Sequence, residues 1–571
     1  MKNNNKTNTI TPVRVWPGVV LVVLQWALRY VAPIIEPETI IIGVFGVLVF
    51  GLGIVVWWIF FSRAPRFEKW LPIPLTIISL YLTYQILDKS IATANMNLMF
   101  TMYSIPVMCL AFVAWAVISR NFSQRLRRIT MVITIIAASG FWALIRTDGM
   151  DAEVHHDFAW RWSKTAEERL LAKKDHQQTI STDSSAISPL VEWSGFRGKN
   201  RDGIVYNLQI ETDWKKTSPA KLWQKQIGPG CSSFAIQGNM IYTQEQRGEN
   251  EMVTCYSLKT GDLIWLHSDS TRFWDAHAGA GPRSTPTLFE SNVYTLGATG
   301  ILNVLDASTG KLIWTRNAAN DTKVTIPGWG YTSSPLIVDS TVLIAISGQI
   351  LAYNITTGKP RWSGNDGGES YSSPQLFTID GIKQILYTNK EGLTSYNPIN
   401  GNILWALKWP GVRVVQPAQI DETSILIAAD ERIGLRRITV KNSENGWIIK
   451  EQWTTNKIRP DYNDFVVHKG YIYGFEGPSI TCVDIENGNR IWKGGRLGGQ
   501  LILLADQDIL LILTEKGDIA LVKASPDKFE ELALIPAIKG KTWNHPAIAG
   551  NIFLVRNTEE MAAFKIPLTS I

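Results

Sequence analysis

The sequence predicts a multi-domain protein: five membrane-spanning α-helices followed by an all-β ring of eight blades. Three observations carry that expectation. Composition changes near residue 146, from runs of Val, Ile, Leu, Phe and Trp to a polar mixture with frequent Gly and Trp. The polar part then repeats one phrase at intervals of about 40–50 residues: "SLKTGDLIWLHS", "DASTGKLIWTRN", "NITTGKPRWSGN", "NPINGNILWALK" and "DIENGNRIWKGG". Between the copies lie short β-patterned runs at spacings that suit four-stranded blades. At 571 residues the chain also exceeds what one ordinary core holds.

The apolar runs come first. Stretches near 15–35, 40–61, 70–87, 98–118 and 129–145 approach the roughly 20 helical residues needed to cross a hydrocarbon core. Pro72, Pro74 and Gln85 make the third the least regular, and one cleaved signal peptide cannot explain five runs. Basic residues cluster before the first run (Lys2, Lys6, Arg14) and after the second and fourth (Arg63, Arg66, Lys69; Arg120, Arg125, Arg127, Arg128). The alternate loops are acidic or nearly neutral, so residues 1–14 are expected in the cytoplasm and the large C-terminal part outside it. Arg29, the main ionisable residue well inside a span, sits close enough to a helix end to snorkel. With no paired acids or histidines at mid-depth, residues 15–146 read as an anchor.

Residues 147–188 read as a juxtamembrane connection. "DFAWRWSKTAEERLLAKK" (157–174) suggests a short amphipathic helix, with Trp160 and Trp162 at headgroup level, and a Ser/Thr/Gln-rich linker follows. His155 and His156 have no third ligand nearby and carry no metal expectation. Cys109, Cys231, Cys255 and Cys482 form no CxxC or CxxCH pattern and read as free thiols acting as small hydrophobes. The net charge of +6 lies largely in short loops, without a basic stripe interleaved with aromatics, so nucleic acid is excluded as a partner.

After a lead-in segment (189–218), residues 219–568 should build the ring. In each phrase Asp or Asn and Gly supply turn chemistry, with Gly at the left-handed position. The tryptophan that follows lies on an outer strand, where a large flat side chain can bury surface between neighbouring blades. Trp223, Trp265, Trp314, Trp362, Trp405, Trp453 and Trp492 are therefore assigned to blade docking. Six full units end at Trp265, Trp314, Trp362, Trp405, Trp453 and Trp492, and a degenerate seventh ends near 529–534. The eighth, beginning "TWNHPAIAG", supplies three strands; "PAKLWQKQI" (219–227) looks like its missing fourth, which would leave no open edge.

The repeat Asp-x-x-Thr-Gly-x-x-x-Trp resembles the pyrroloquinoline-quinone (PQQ) repeat. That resemblance covers about 220–568 and implies an eight-bladed propeller of the kind found in quinoprotein dehydrogenases and in non-enzymatic relatives such as the outer-membrane assembly propeller. "EWSGFRGKNRDG" (192–203), "GPRSTPTL", "PGWGYTSSP" and "SYSSPQL" are similar to stretches in a subgroup of bacterial PQQ-like propellers. Five helices before an exported propeller also resemble, distantly, the membrane-bound quinoprotein glucose dehydrogenase. A quinone enzyme needs an aromatic floor, an arginine on the quinone carbonyl, Ca²⁺ on carboxylate and amide oxygens, and an acid as base.

The resemblance places Arg283, Trp329, Tyr331, Tyr371, Arg413, Gln416, Asp461, Tyr462, Gln500, Trp543 and Asn544 around the channel mouth, with Asp461 as the candidate general base. Against quinone chemistry stand the missing adjacent-cysteine ring, the lack of a Glu/Asn/Asp set for Ca²⁺, and a mouth richer in arginine than in carboxylate. Blades of about 47 residues also leave little for inserted loops. The sequence thus points to a membrane-anchored, exported binding or scaffold module for a protein or polar ligand at one rim. The alternative is a PQQ-dependent dehydrogenase that oxidises a sugar or alcohol and passes electrons to membrane quinone. The outer-membrane assembly role is disfavoured, because no lipid-modified cysteine follows a signal.

Overall fold

The computed structural model describes residues 13–36, 39–150, 156–172, 191–409, 414–428 and 433–569. Two compact units divide it: one of Met1–Met150 with Val154–Ser163, the other of Lys164–Ile571 with Asp151–Glu153.

In the first unit, four helices among the described residues are long and apolar enough to cross a membrane: Trp16–Ile35, Ile42–Phe61, Met99–Asn121 and Gln124–Leu144. The remaining apolar run is helix Arg66–Ile86, bent by 110° from Lys89–Asn95, so the five-span expectation becomes four clear spans and one bent pair. The bend has a local cause: Leu87 leaves helical geometry, and the Asp88 side chain caps the next helix on Ser90 N. A buried ion pair ties this run to the last span. Glu68 is fully buried; Arg127 meets one carboxylate oxygen at 2.6 Å and Arg128 the other at 3.3 Å.

Arg29 does not reach outward as a snorkelling residue would. It is 8% exposed, on a π-helical turn (Ala27–Val31), with its guanidinium over Tyr30 at 5.3 Å and Tyr103 at 5.5 Å. The helix expected over 157–174 is also corrected. His156–Trp160 is a strand paired with Ile145–Met150, and helix is confined to Ala166–Ala172. Alternation in "HDFAW" suits a two-stranded ribbon, and Thr165 caps the helix in a reciprocal pair with Glu168. Trp160 and Trp162 stack at 5.0 Å, 48% and 68% exposed.

In the second unit the described residues form eight four-stranded antiparallel blades: 235–269, 287–317, 336–363, 375–408, 418–455, 466–494, 499–536, and 547–565 completed by Ala220–Gln226. The borrowed strand pairs with Glu560–Lys565, Trp223 opposite Ala563, so the ring closes with the front of the domain as its last strand. Central strands rich in Val, Ile, Leu and Ala bury both faces, while the outer strands stay partly exposed. Cys255 and Cys482 are buried in these faces as free thiols, Cys231 is half-buried, and Cys109 is buried in the first unit.

The repeated phrase works as a dock between consecutive blades. Each indole N–H donates to a carbonyl in the next blade's turn: Trp223 to Leu258 (2.8 Å), Trp265 to Ala307 (3.0 Å), Trp314 to Ile355 (2.9 Å), Trp362 to Pro398 (3.3 Å), Trp453 to Ile485 (3.0 Å) and Trp492 to Ser525 (2.9 Å). The ring of Trp265 lies flat on the turn glycine: a Cβ at Gly310 would sit 2.5 Å from it, and Gly310 has φ +69°. Glycine is thus required there twice, by backbone hand and by contact. Trp405 departs from the pattern. The next blade's hairpin (Leu435–Ser443, Gly446–Thr455) runs on without that turn, and the Trp405 indole bonds Gln384 of its own blade at 2.6 Å.

Candidate functional site

In each blade the innermost strand starts at the face carrying the blade-to-blade loops, here called the upper face. Just before those strands the small-residue motifs form a girdle. Ser233 N donates to Thr285 Oγ1 (3.1 Å), Thr285 N to Ser334 Oγ (3.0 Å), Ser334 N to Ser373 Oγ (2.9 Å), Ser373 N to Gln416 Oε1 (2.9 Å) and Gln416 N to Asp464 Oδ1 (2.8 Å). Every member is buried, so a run of hydrogen bonds links blades one to six around the axis.

The axis itself is filled by the lead-in segment. Val191–Trp193 adds to the inner edge of blade one and Ile204–Val205 pairs in parallel with blade seven. Between them, Ser194 O accepts from Leu288 N of blade two at 2.7 Å. Arg201 donates to Pro335 O (2.8 Å) and Ser334 O (3.1 Å) of blade three, and Arg197 to Phe465 O (2.7 Å) beside blade six. One segment touching blades on all sides can only lie in the channel. Both arginines hold left-handed backbone, φ +59° and +57°, a conformation that disfavours side chains by about 1–2 kcal/mol. Their fixed guanidinium bonds keep them there.

His545 of blade eight packs against Trp193 (6.4 Å) and Phe196 (5.9 Å). Burial, then the Arg197 charge, hold its imidazole down at about 3. Between that value and the ordinary histidine value near ~6.5, the unfolded chain takes up a proton and the folded chain does not. Stability contributed at this residue is therefore lost as pH falls through that window. Urea unfolding of a His545→Gln variant at pH 6.5 and pH 4 is expected to show a smaller acid loss than wild type.

The residues nominated for the mouth divide into two groups. Arg283 is ion-paired with Asp275, bonded to Gly279 O at 2.7 Å and placed over Phe273 at 5.5 Å. Asn544 donates to Gly230 O (3.1 Å) and Ser232 O (2.8 Å). Tyr331 is 1% exposed and donates to Val324 O, and Gln500 ties the Tyr462 and Trp543 carbonyls. With Gln416 in the girdle, these five are held by the scaffold. Arg413 lies outside the described residues.

The other group reaches the surface through Trp329 and Asp461, with Tyr462 and Trp543 half-buried and Tyr371 buried beneath. Trp329, 42% exposed, sits 4.7 Å from Tyr371, whose hydroxyl donates to Glu369 at 2.5 Å. Tyr462 lies 5.5 Å from Trp543, which donates to Glu515 and carries the Lys541 ammonium 3.9 Å over its ring. His277 joins the two pairs: its ring is 6.3 Å from Trp329 and its carbonyl accepts from Lys541 at 3.2 Å. Asp461 is exposed at the same face. The helix Ala166–Ala172 docks there too, Glu167 bonding Arg272 and Gly248 N at 2.8 Å.

The girdle and the plug were missed in the sequence. "EWSGFRGKNRDG" and the Ser-Ser-Pro motifs were visible, but their partners lie in other blades. His277 and Lys541 carry no local pattern at all.

A family model described as outer membrane protein assembly factor BamB, of the PQQ-repeat kind, matches residues 249–494. The matched blades carry a PQQ-type repeat. The chain is 26% identical to BamB of Yersinia pestis over 157 residues, 26% of this chain and 37% of that relative. It is 22% identical to BamB of Shewanella oneidensis over 312 residues, 49% of this chain and 71% of the relative. The chain thus spans between about a third and seven tenths of the length of these two relatives. Among solved structures, a europium-containing methanol dehydrogenase matches with TM-score 0.50 at 12% identity, over 65% of this chain and 98% of that one. BamB of Moraxella catarrhalis matches with TM-score 0.45 at 12% identity, over 62% and 99%. At 12% identity the methanol dehydrogenase match shows a shared fold alone, and the fold decides no function.

Proposed function

We propose that this chain is a membrane-anchored binding module that presents its propeller outside the cytoplasm and engages a protein partner through the aromatic upper rim. The carrying observation is how the rim is built. Trp329 with Tyr371 and Trp543 with Tyr462 stand as two aromatic pairs, rimmed by Glu369, Glu515 and Lys541. Large aromatics with a polar surround are the composition of interface hot spots. With the N-terminus inside, an odd number of crossings is needed, so the bent run Arg66–Ile86 is the fifth span; its 21 residues reach ~31 Å.

Three observations speak against the quinone alternative. Of its two nominated arginines, Arg283 is committed to Asp275 and Arg413 lies outside the described residues, and the axis beneath the mouth holds Trp193 to Arg201. Among the described residues no three of His, Cys, Asp and Glu are grouped to hold a metal ion. The residues present do not fit PQQ with Ca²⁺, and no step is assigned to it.

Two measurements test this. A photo-reactive residue placed at Trp329 or Trp543 in the membranes of the producing cell should give a discrete adduct, and one at Thr309 on the lower turns none. Adducts from Thr309 alone would move the site to the other face. Stoichiometric tryptophan quenching by PQQ with Ca²⁺, together with dye reduction, would overturn the reading.

A further inference from the structure

The first two membrane spans enclose a groove of about 470 Å³, within the range of small-molecule sites. Val20, Leu21, Gly53, Val56 and Phe61 make its walls, and Arg14 is the one charged residue lining it. Arg14 is exposed but its backbone is fixed: its N–H donates to Ser62 O at 2.9 Å and its carbonyl accepts the Trp57 indole at 3.0 Å. The guanidinium lies 5.1 Å from the ring of Trp16, itself 59% exposed. Arg14 makes no ion pair among the described residues, and Glu68 of the same unit is taken by Arg127 and Arg128.

We propose that this groove holds one anionic phospholipid, an acyl chain along Leu21 and Gly53 and the phosphate on Arg14. The pattern follows from what a lipid presents at one depth: a long apolar tail beside a negative headgroup. Gly53 leaves the wall open where any side chain would project into it. Its absent Cβ would meet only the Leu21 methyls, at 3.5 and 3.7 Å. Trp16 supplies the amphipathic ring that belongs at the interface, and a basic residue between spans is the element that recognises anionic headgroups.

Native mass spectrometry of the full chain, released from vesicles of phosphatidylglycerol and phosphatidylethanolamine at 1:3, reads the site. Wild type should retain one phosphatidylglycerol per chain, favoured about fivefold over its share of the vesicle. Arg14→Gln should abolish that preference, Arg14→Lys should keep most of it, and Gly53→Leu should reduce retention of both lipids. Arg63→Gln, a cation outside the groove, should change nothing. Equal retention of the two lipids by wild type overturns the proposal, as does an equal loss in Arg14→Gln and Arg63→Gln, which would mean diffuse charge. Lipid retention that appears only after deletion of residues 2–12, or a dimer peak without lipid, would give the groove to the chain's own N-terminus or to a second copy and likewise overturn it.

Discussion

Replacing Arg556 with methionine should lower the stability of the propeller by about 3–5 kcal/mol, the cost of removing one side of a buried charged network. Arg556 is fully buried at the seam where the borrowed-strand blade meets blade one. It donates to Thr243 Oγ1 at 2.6 Å, Gln244 O at 3.0 Å and Gly228 O at 3.1 Å, all on the far side of that seam. Methionine fills much of the volume and supplies no donor, so the Gln244 and Gly228 carbonyls lose this donor while buried, and Thr243 keeps only its bonds to Ser232 and Ser233. Glu245, also fully buried, would lose a nearby positive charge while keeping Arg247 at 2.8 Å and Tyr256 at 2.5 Å. Burial depresses Arg556 below its ordinary value, with Glu245 pulling the other way, so the group stays cationic at any physiological pH. The check is thermal unfolding of the full chain in detergent, combined with hydrogen exchange at Ala220–Gln226. Loss of protection should appear in that strand before other blades, because its pairing with Glu560–Lys565 completes a blade without a connecting hairpin. An unchanged midpoint with protected seam amides would mean that the closure rests on strand pairing and Trp223 alone.

What could be read in the sequence follows a physical division. Turn and tryptophan lie within nine residues of one another, so the outer hairpin of a blade is locally encoded, and the number of blades follows by counting. The borrowed strand was legible because it carries the same tryptophan, Trp223, with no hairpin of its own. The girdle was not, since Ser334 or Thr285 is an ordinary small residue until a backbone N–H from the neighbouring blade reaches it. Arg197 makes its decisive bond to a residue 268 positions away and adopts a backbone conformation no propensity would assign. Arg283 illustrates the opposite error. It was nominated for the mouth, but its partner is Asp275 eight residues earlier, on a short hairpin (Trp274–Asp275 with Gly279–Ala280) with too little pattern to be foreseen. In the membrane unit, apolar length found the runs, while the bend after Ile86 and the inward turn of Arg29 depend on a cap and on an aromatic partner from another helix.

The second large effect belongs to the dock between blades one and two. Trp265→Ala should cost about 3–5 kcal/mol, as large aromatic-to-alanine changes in cores do. Trp265 is 7% exposed and lies between its own blade and the Gly310 turn of the next, so truncation opens a gap that two twisted sheets cannot close by shifting. Trp265→Phe separates packing from hydrogen bonding. It keeps a flat ring and loses only the bond to Ala307 O, and that carbonyl still accepts from Tyr242 Oη at 3.1 Å. The phenylalanine variant should therefore cost about 1–2 kcal/mol, nearly all of it lost contact area rather than an orphaned acceptor. The double variant Trp265→Phe, Tyr242→Phe removes both donors and should cost more than the two single changes added together, by about 1–2 kcal/mol. Urea midpoints of the four proteins form the cycle. Strict additivity would mean that water reaches the Ala307 carbonyl, and the tryptophan would then act through shape alone.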